Sequence, residues 1–133
     1  MGLTVKVYEK EVAVFVVSVS GSLDSATYQD LEKKVTPFLI DSTKALILDL
    51  KGLEYISSMG VSVILRAKKI LEDLGGNFMM VNLQPQIKTV FDIVKALPNM
   101  CLFESLQEAD AYLSEMQRRA KEKAEDERRG YKL

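Results

Sequence analysis

Leu48-Asp49-Leu50-Lys51-Gly52-Leu53-Glu54-Tyr55-Ile56-Ser57-Ser58-Met59-Gly60-Val61 is the stretch on which the fold turns, because it passes from a strand period to a helix period within a few residues. At its start, Ala45 to Leu50 (ALILDL) is aliphatic on both faces, which suits a short strand covered on both sides. Lys51 to Ile56 reads as a connection leading to Ser57 and Ser58, and a serine placed just ahead of a helix can cap it. Beyond Gly60, Val61, Ile64, Leu65, Leu71 and Leu74 recur at helical spacing, while Arg66, Lys69, Glu72 and Asp73 fall mostly on the other side. Gly75 fits the position just past a helix end, Gly76-Asn77 completes a turn, and Phe78 to Val81 is the next strand.

Working upstream, Thr4 to Tyr8 alternates like a strand, Glu9-Lys10-Glu11 reads as a turn, and Val12 to Val19 reads as a central strand that Gly21-Ser22 breaks. Tyr28, Leu31, Val35, Phe38 and Leu39 then take helical spacing, with Asp24 or Ser25 available as the cap. Pro37 requires that helix to kink or end near Thr36, and Asp41-Ser42-Thr43 follows as a turn. Downstream, Pro85 opens a helix whose apolar face is Ile87, Val90, Phe91, Val94 and Leu97, and Pro98 closes it. Cys101-Leu102-Phe103 reads as a last short strand, and Ser105-Leu106-Gln107-Glu108 as a capping box. Ala109, Tyr112, Leu113 and Met116 give the final helix its inner face. The expected architecture is α/β, with α+β character. It has one mixed β-sheet of about 4–5 strands and about 4 helices packed mainly on one face.

The whole chain is 133 residues long and 47% hydrophobic, enough for one domain with a sizeable core. Eighteen Lys+Arg against 19 Asp+Glu leave a net charge of −1, which argues against direct nucleic-acid binding. Histidine is absent and Cys101 is the sole cysteine, so Ser-His-Asp and Cys-His catalysis, His- or Cys-rich metal sites and internal disulfides are excluded. No apolar run reaches the ~18 residues of a membrane span, and the start lacks a signal-peptide layout; a cytoplasmic protein with a reduced thiol is expected. Residues 1–116 form the expected domain. In 117–133, seven basic residues stand against four acidic ones, a surplus of +3 that leaves −4 on the body. This stretch reads as a solvated, helical C-terminal extension, although Arg118-Arg119 and Arg128-Arg129 also suit acidic partners or lipid headgroups. Cys101 reads as a small buried apolar residue, and the six methionines as core filling.

From Leu48 to Val61 the sequence resembles the STAS domain, and most closely the bacterial anti-sigma factor antagonists. That family's pattern is a hydrophobic strand ending in Asp-Leu, a short connection, and an Asp-Ser-Ser/Ala/Thr-Gly run that opens an amphipathic helix. The resemblance continues through Gly75-Gly76, the strand Phe78-Met79-Met80-Val81-Asn82 and the helix led by Pro85, and it includes Gly21-Ser22-Leu23-Asp24 upstream. It covers residues 3–113, with the elements in the family's order. In such antagonists, the serine following the Asp position is reversibly phosphorylated by a partner kinase that is itself the anti-sigma factor. Aligning on Gly60 places that acceptor at Ser58, with Ser57 where the family most often has Asp and Met59 where a small residue is usual.

The resemblance implies a partner-binding surface made from Ser22, Asp24, Ser57, Met59, Gly60, Ser62 and Arg66. The implied partners are a GHKL-type anti-sigma serine kinase and a cognate phosphatase. Nucleotide and Mg²⁺ would belong to the kinase, so neither cofactor nor metal is expected in this chain, nor is membrane insertion or enzymatic activity. Other readings stand beside this one. Asp24 suits a helix cap as well as a partner contact, and Asp49 with Glu54 suggests either Mg²⁺ or plain solvated charges. The same fold could serve as a non-switching scaffold or a transporter-associated accessory subunit. A hydrolase using Ser58 as nucleophile is disfavoured, because no histidine exists and the residue three positions on is Val61, not lysine.

Overall fold

The computed structural model describes residues 2–93 and 101–128. The expected helix-face residues Val94 and Leu97 and the closing Pro98 lie outside the described residues. Strand β1 (Leu3–Glu11) forms an antiparallel hairpin with β2 (Val14–Leu23), and β2 continues the sheet in parallel with β3 (Ala45–Ile56). Strands β4 (Asn77–Val81) and β5 (Cys101–Phe103) extend it, so the order is β1-β2-β3-β4-β5. The helices are α1 (Tyr28–Val35), α2 (Ser58–Asp73), α3 (Pro85–Ile93) and α4 (Leu106–Arg128). This is the mixed sheet with four substantial helices that the hydrophobic periods indicate.

Two apolar layers sandwich the sheet, because its inner strands are aliphatic on both faces. Val17, Val19, Leu46, Leu48, Leu50, Phe78 and Met80 pack on one side against Leu31, Ile64, Leu71, Ile87 and Phe91 of α1 to α3. Val14, Val16, Ala45, Ile47, Met79 and Val81 pack on the other side against Ala109 and Leu113 of α4. Three helices therefore share one face, and α4 alone covers the opposite one. Among the described residues no helix is long and apolar enough to cross a membrane.

The hairpin turn falls at Val12-Ala13 rather than at Glu9-Lys10-Glu11. Ala13 takes a left-handed φ of 64°, and its N–H donates to the Glu9 carboxylate at 3.0 Å. The charged triplet stays in the strand, with Lys10 ion-paired to Asp110 of α4. Gly21-Ser22 likewise does not end β2. Gly21, at φ +100°, lets the strand bend where a Cβ would stand 2.2 Å from the Gly2 carbonyl oxygen. β3 runs on to Ile56, because two register shifts against β2 absorb Lys51 to Tyr55 into the sheet. Asp49 secures that irregularity, accepting from the Lys51 N–H at 3.1 Å and from Asn82 Nδ2 at 3.1 Å.

α1 starts after Thr27, not after Asp24 or Ser25, since the Asp24 carboxylate is spent on the preceding turn, accepting from the N–H groups of Ala26 and Thr27. The helix ends at Val35 and tightens into a 3₁₀ turn over Thr36–Phe38, where Pro37 forbids its continuation. Ser105 caps α4 as the capping box requires, accepting from the Glu108 N–H at 3.2 Å. The Glu108 carboxylate, however, reaches the Glu104 N–H instead of that of Ser105.

α4 crosses residue 116 without a break, and Leu113 is the last of its described residues in the buried core. Its described ion pairs beyond that point lie within the helix, joining Glu115 to Arg118 and Arg119, and Arg118 to Glu122. Hydrogen bonds from Arg118 and then Arg119 lower the Glu115 carboxyl from its ordinary 4.5 to about 2. A depressed carboxyl pKa supports the folded helix above pH 4.5 and loses that contribution as pH falls toward about 2. An NMR titration of the Glu115 side chain is expected to show a midpoint well below the ordinary value, and Arg118→Gln should move it upward.

Candidate functional site

The end of β2 and the start of α2 meet at the carboxyl end of the parallel strands. Ser57 is extended, with φ −94° and ψ 172°, and its hydroxyl accepts from the Gly60 N–H at 3.3 Å. The Ser57 carbonyl takes the Val61 N–H at 3.0 Å, closing the first helical turn. Ser57 is thus the cap, as the residue pattern indicates. Its own N–H donates to the Leu23 carbonyl at 2.9 Å, fastening the helix start to the last residue of β2.

Gly60 permits that attachment. A Cβ there would lie 2.8 Å from Leu23 Cγ, 2.8 Å from Ile56 Cγ1 and 2.9 Å from the Leu23 carbonyl oxygen. All three are buried core or backbone atoms, so the helix would have to move outward. Gly60→Ala is expected to lower unfolding stability by about 1–3 kcal/mol, read from urea midpoints. Amide shifts should spread from Leu23 through Ser62.

Ser58, the first residue of α2, is exposed, as are Met59, Ser62 and Arg66 along the same helix. The N–H groups of Ser58 and Met59 precede the helix's first internal acceptors, and the positive end of the helix dipole lies at the Ser58 side chain. Ser62 Oγ donates back to the Ser58 carbonyl at 3.0 Å. Arg66 pairs with Glu32 of α1 at 2.6 Å and stands two turns from Ser58, about 12 Å along the axis. The site therefore offers a helix terminus to an anion rather than a guanidinium clamp.

Across the attachment, Asp24 is half-exposed and held in its turn. Ser22, by contrast, is 97% buried (3% exposed) and faces the core side of this loop, so its hydroxyl is not presented at the surface. The structure thus joins Asp24 to Ser57, Ser58, Met59 and Gly60 through Leu23, and sets Ser62 and Arg66 on the adjoining helix face. Gly60 is itself buried and serves as the contact between elements.

Two contributors escape a reading by motif. Thr27 is buried, donates its hydroxyl to the Ser22 carbonyl at 2.7 Å and receives the Asp24 N–H at 3.0 Å, so it sets the loop that carries Asp24. The available signal is an Asp followed three residues later by Thr. Tyr55, 53% exposed near the end of β3, adds an aromatic ring close in sequence to Ser58, and is visible only once β3 is known to continue that far. Asp49 and Glu54 do not converge: Asp49 is engaged with Lys51 and Asn82, whereas Glu54 is exposed. Among the described residues no group of three or more carboxylate, thiol or imidazole side chains is placed to hold a metal ion.

Residues 5–109 match the STAS domain. The chain belongs to that family. BtrV of Bordetella bronchiseptica, assigned as an anti-sigma factor antagonist, is 30% identical over 80 residues, covering 60% of this chain and 69% of BtrV. The anti-sigma F factor antagonist of Lysinibacillus sphaericus is 27% identical over 77 residues, covering 57% of this chain and 66% of the relative. An anti-sigma factor antagonist from Mycobacterium paratuberculosis superimposes with a TM-score of 0.76 at 27% identity, over 85% of this chain and 95% of its own. This STAS domain therefore shares its fold, and a quarter or more of the matched positions, with antagonists of anti-sigma factors.

Proposed function

We propose that this STAS domain is an anti-sigma factor antagonist in a partner-switching circuit. In this reading the unphosphorylated chain binds an anti-sigma serine kinase of GHKL type, phosphorylation of Ser58 ends the association, and a phosphatase restores it. The chain is a ligand and a substrate, not an enzyme. The observation that carries the proposal is the exposure of Ser58 at the first position of α2, beside a cap already satisfied by Ser57. Two further features support it: relatives named as antagonists and the attachment of the Asp24 loop to that same helix start through the Leu23 carbonyl.

The physics of such a switch is local. A phosphate on Ser58 adds about −1.5 to −2 charges and three acceptor oxygens. Free helix N–H groups and the dipole tolerate those charges in the isolated domain, so the fold persists. In an interface the same charges must be desolvated. A penalty of about 3–4 kcal/mol weakens binding roughly 100- to 1,000-fold. Asp24, Ser57, Met59, Ser62 and Arg66 would form the contact surface around the acceptor, with Gly60 holding the two segments together. Ser22 contributes through its backbone, given its burial.

Met59, 40% exposed next to the acceptor, favours a second reading in which the same surface binds a scaffold partner constitutively. Affinity capture from the source cell with wild-type, Ser58→Ala and Ser58→Asp proteins distinguishes the two. The switch requires a GHKL-type kinase retained by the first two and lost with Asp, whereas equal retention by all three would favour the scaffold. Circular dichroism of the Asp variant should match the wild type, since the substitution lies on an exposed helix N-terminus.

A further inference from the structure

β1 is an edge strand: among the described residues it pairs with β2 alone. Its register from Leu3 to Glu9 is uninterrupted, and the Ser22 N–H donates to the Gly2 carbonyl at 3.2 Å, which makes Gly2 and Ser22 a hydrogen-bonded pair. In an antiparallel ladder such pairs alternate with open ones. Thr4, Lys6 and Tyr8 therefore point their backbone groups at β2, while Leu3, Val5 and Val7 turn theirs toward the open edge. The side chains of Leu3, Val5 and Val7 lie on the α1 side of the sheet, partly buried against the core. Between this edge and α1 runs a groove of about 580 Å³ lined by Leu3, Thr4, Val5, Asp30, Lys33 and Lys34.

Open edges of this length are commonly protected by inward or flanking charges. Lys10 is already paired with Asp110, Glu9 and Glu11 lie at the far end of the strand, and the charge lining the groove is Lys33 and Lys34 against Asp30, with Lys6 on the other face of the strand. Lys6, Lys33 and Lys34 are exposed, and among the described residues none is in an ion pair; Asp30 is the single acid lining the groove. We infer that this edge accepts an extended acidic segment of a partner protein as a sixth strand, hydrogen-bonded to Leu3, Val5 and Val7. Residues of the incoming strand opposite Leu3 and Val5 project over the groove toward Lys33 and Lys34. Their neighbours project to the face that carries Lys6. Pairing with the β1 of a second copy is the competing occupant, and dimerisation of the wild type would reveal it. The inference uses none of the surface around Ser58, and failure of either reading leaves the other intact.

The probe is a fluorescein-labelled peptide of alternating valine and glutamate, about eight residues long to match the strand, followed by fluorescence anisotropy and amide NMR shifts. Binding is expected for this peptide and not for its valine–lysine counterpart, with the largest shifts at Leu3, Val5 and Val7. Val5→Pro removes an outward N–H that the β2 ladder does not use, so the fold should survive and binding should be lost. Lys33→Gln/Lys34→Gln, on the exposed face of α1, should weaken binding about three- to tenfold while leaving thermal unfolding unchanged. Absence of binding, equal binding of the lysine peptide, or binding unaffected by the double lysine substitution would overturn the proposal. So would dimerisation of the wild type that Val5→Pro abolishes, which would assign the edge to a second copy.

Discussion

The close approach of α2 to the end of β2 is the contact on which the candidate site depends. It is made by two things at once: the hydrogen bond from the Ser57 N–H to the Leu23 carbonyl, and the empty space above Gly60. A side chain at residue 60 would meet Leu23 and Ile56 at less than van der Waals distance, and the helix N-terminus would lift from the sheet. With glycine there, Ser57 is free to cap, Ser58 is exposed at the first helical position, and the Asp24 loop sits against the same turn. The exposure of the Ser58 hydroxyl thus rests on the packing beneath it, not on the hydroxyl itself.

The sheet holds that contact in place because its central strands are buried on both sides. Most of the helical cover lies on one face, where α1 to α3 pack on Val17, Val19, Leu46, Leu48, Leu50, Phe78 and Met80. α4 closes the other face over a smaller area, and the Lys10–Asp110 pair ties its first turns to the hairpin. The open β1 edge is the counterpart of this layout. α1 packs beside it but does not cover its outward backbone groups, and lysines gather there rather than the alternating charges of the α4 extension.

Much of this was legible in the residue pattern, and the failures share a cause. Helical stripes, the cap at Ser57, the break at Pro37 and the short strand at Cys101 follow from local periodicity and local chemistry. Glu9-Lys10-Glu11 and Gly21-Ser22 read as breaks in the sequence but stay in strands, because charged triplets and glycines are turn signals only when no partner strand claims them. Here Lys10 is claimed by Asp110, and Gly21 by the approach of Gly2. The extension of β3 to Ile56 has the same origin: Lys51-Gly52-Leu53 has no strand character by itself and acquires it from register shifts against β2. In the candidate site, Ser57, Ser58 and Met59 were visible as a motif before a helix. The burial of Ser22 and the role of Thr27 depend on how the Asp24 turn packs, which no spacing encodes.

By itself the sequence determined the classes of chemistry available and the order of the elements. A chain with no histidine and one cysteine has no Ser-His-Asp triad, Cys-His pair or thiolate cluster to assemble, and the alternation of strand and helix periods dictates a sheet covered by helices. Only the tertiary structure decided which hydroxyl reaches solvent, which face α4 covers, and which strand edge stays open. Each of those is settled by contacts between residues far apart in the chain, Ser57 with Leu23, Asp110 with Lys10 and Val5 with Val19, β1 having no second partner strand among the described residues. Such contacts arise from three-dimensional packing, which local propensity does not specify.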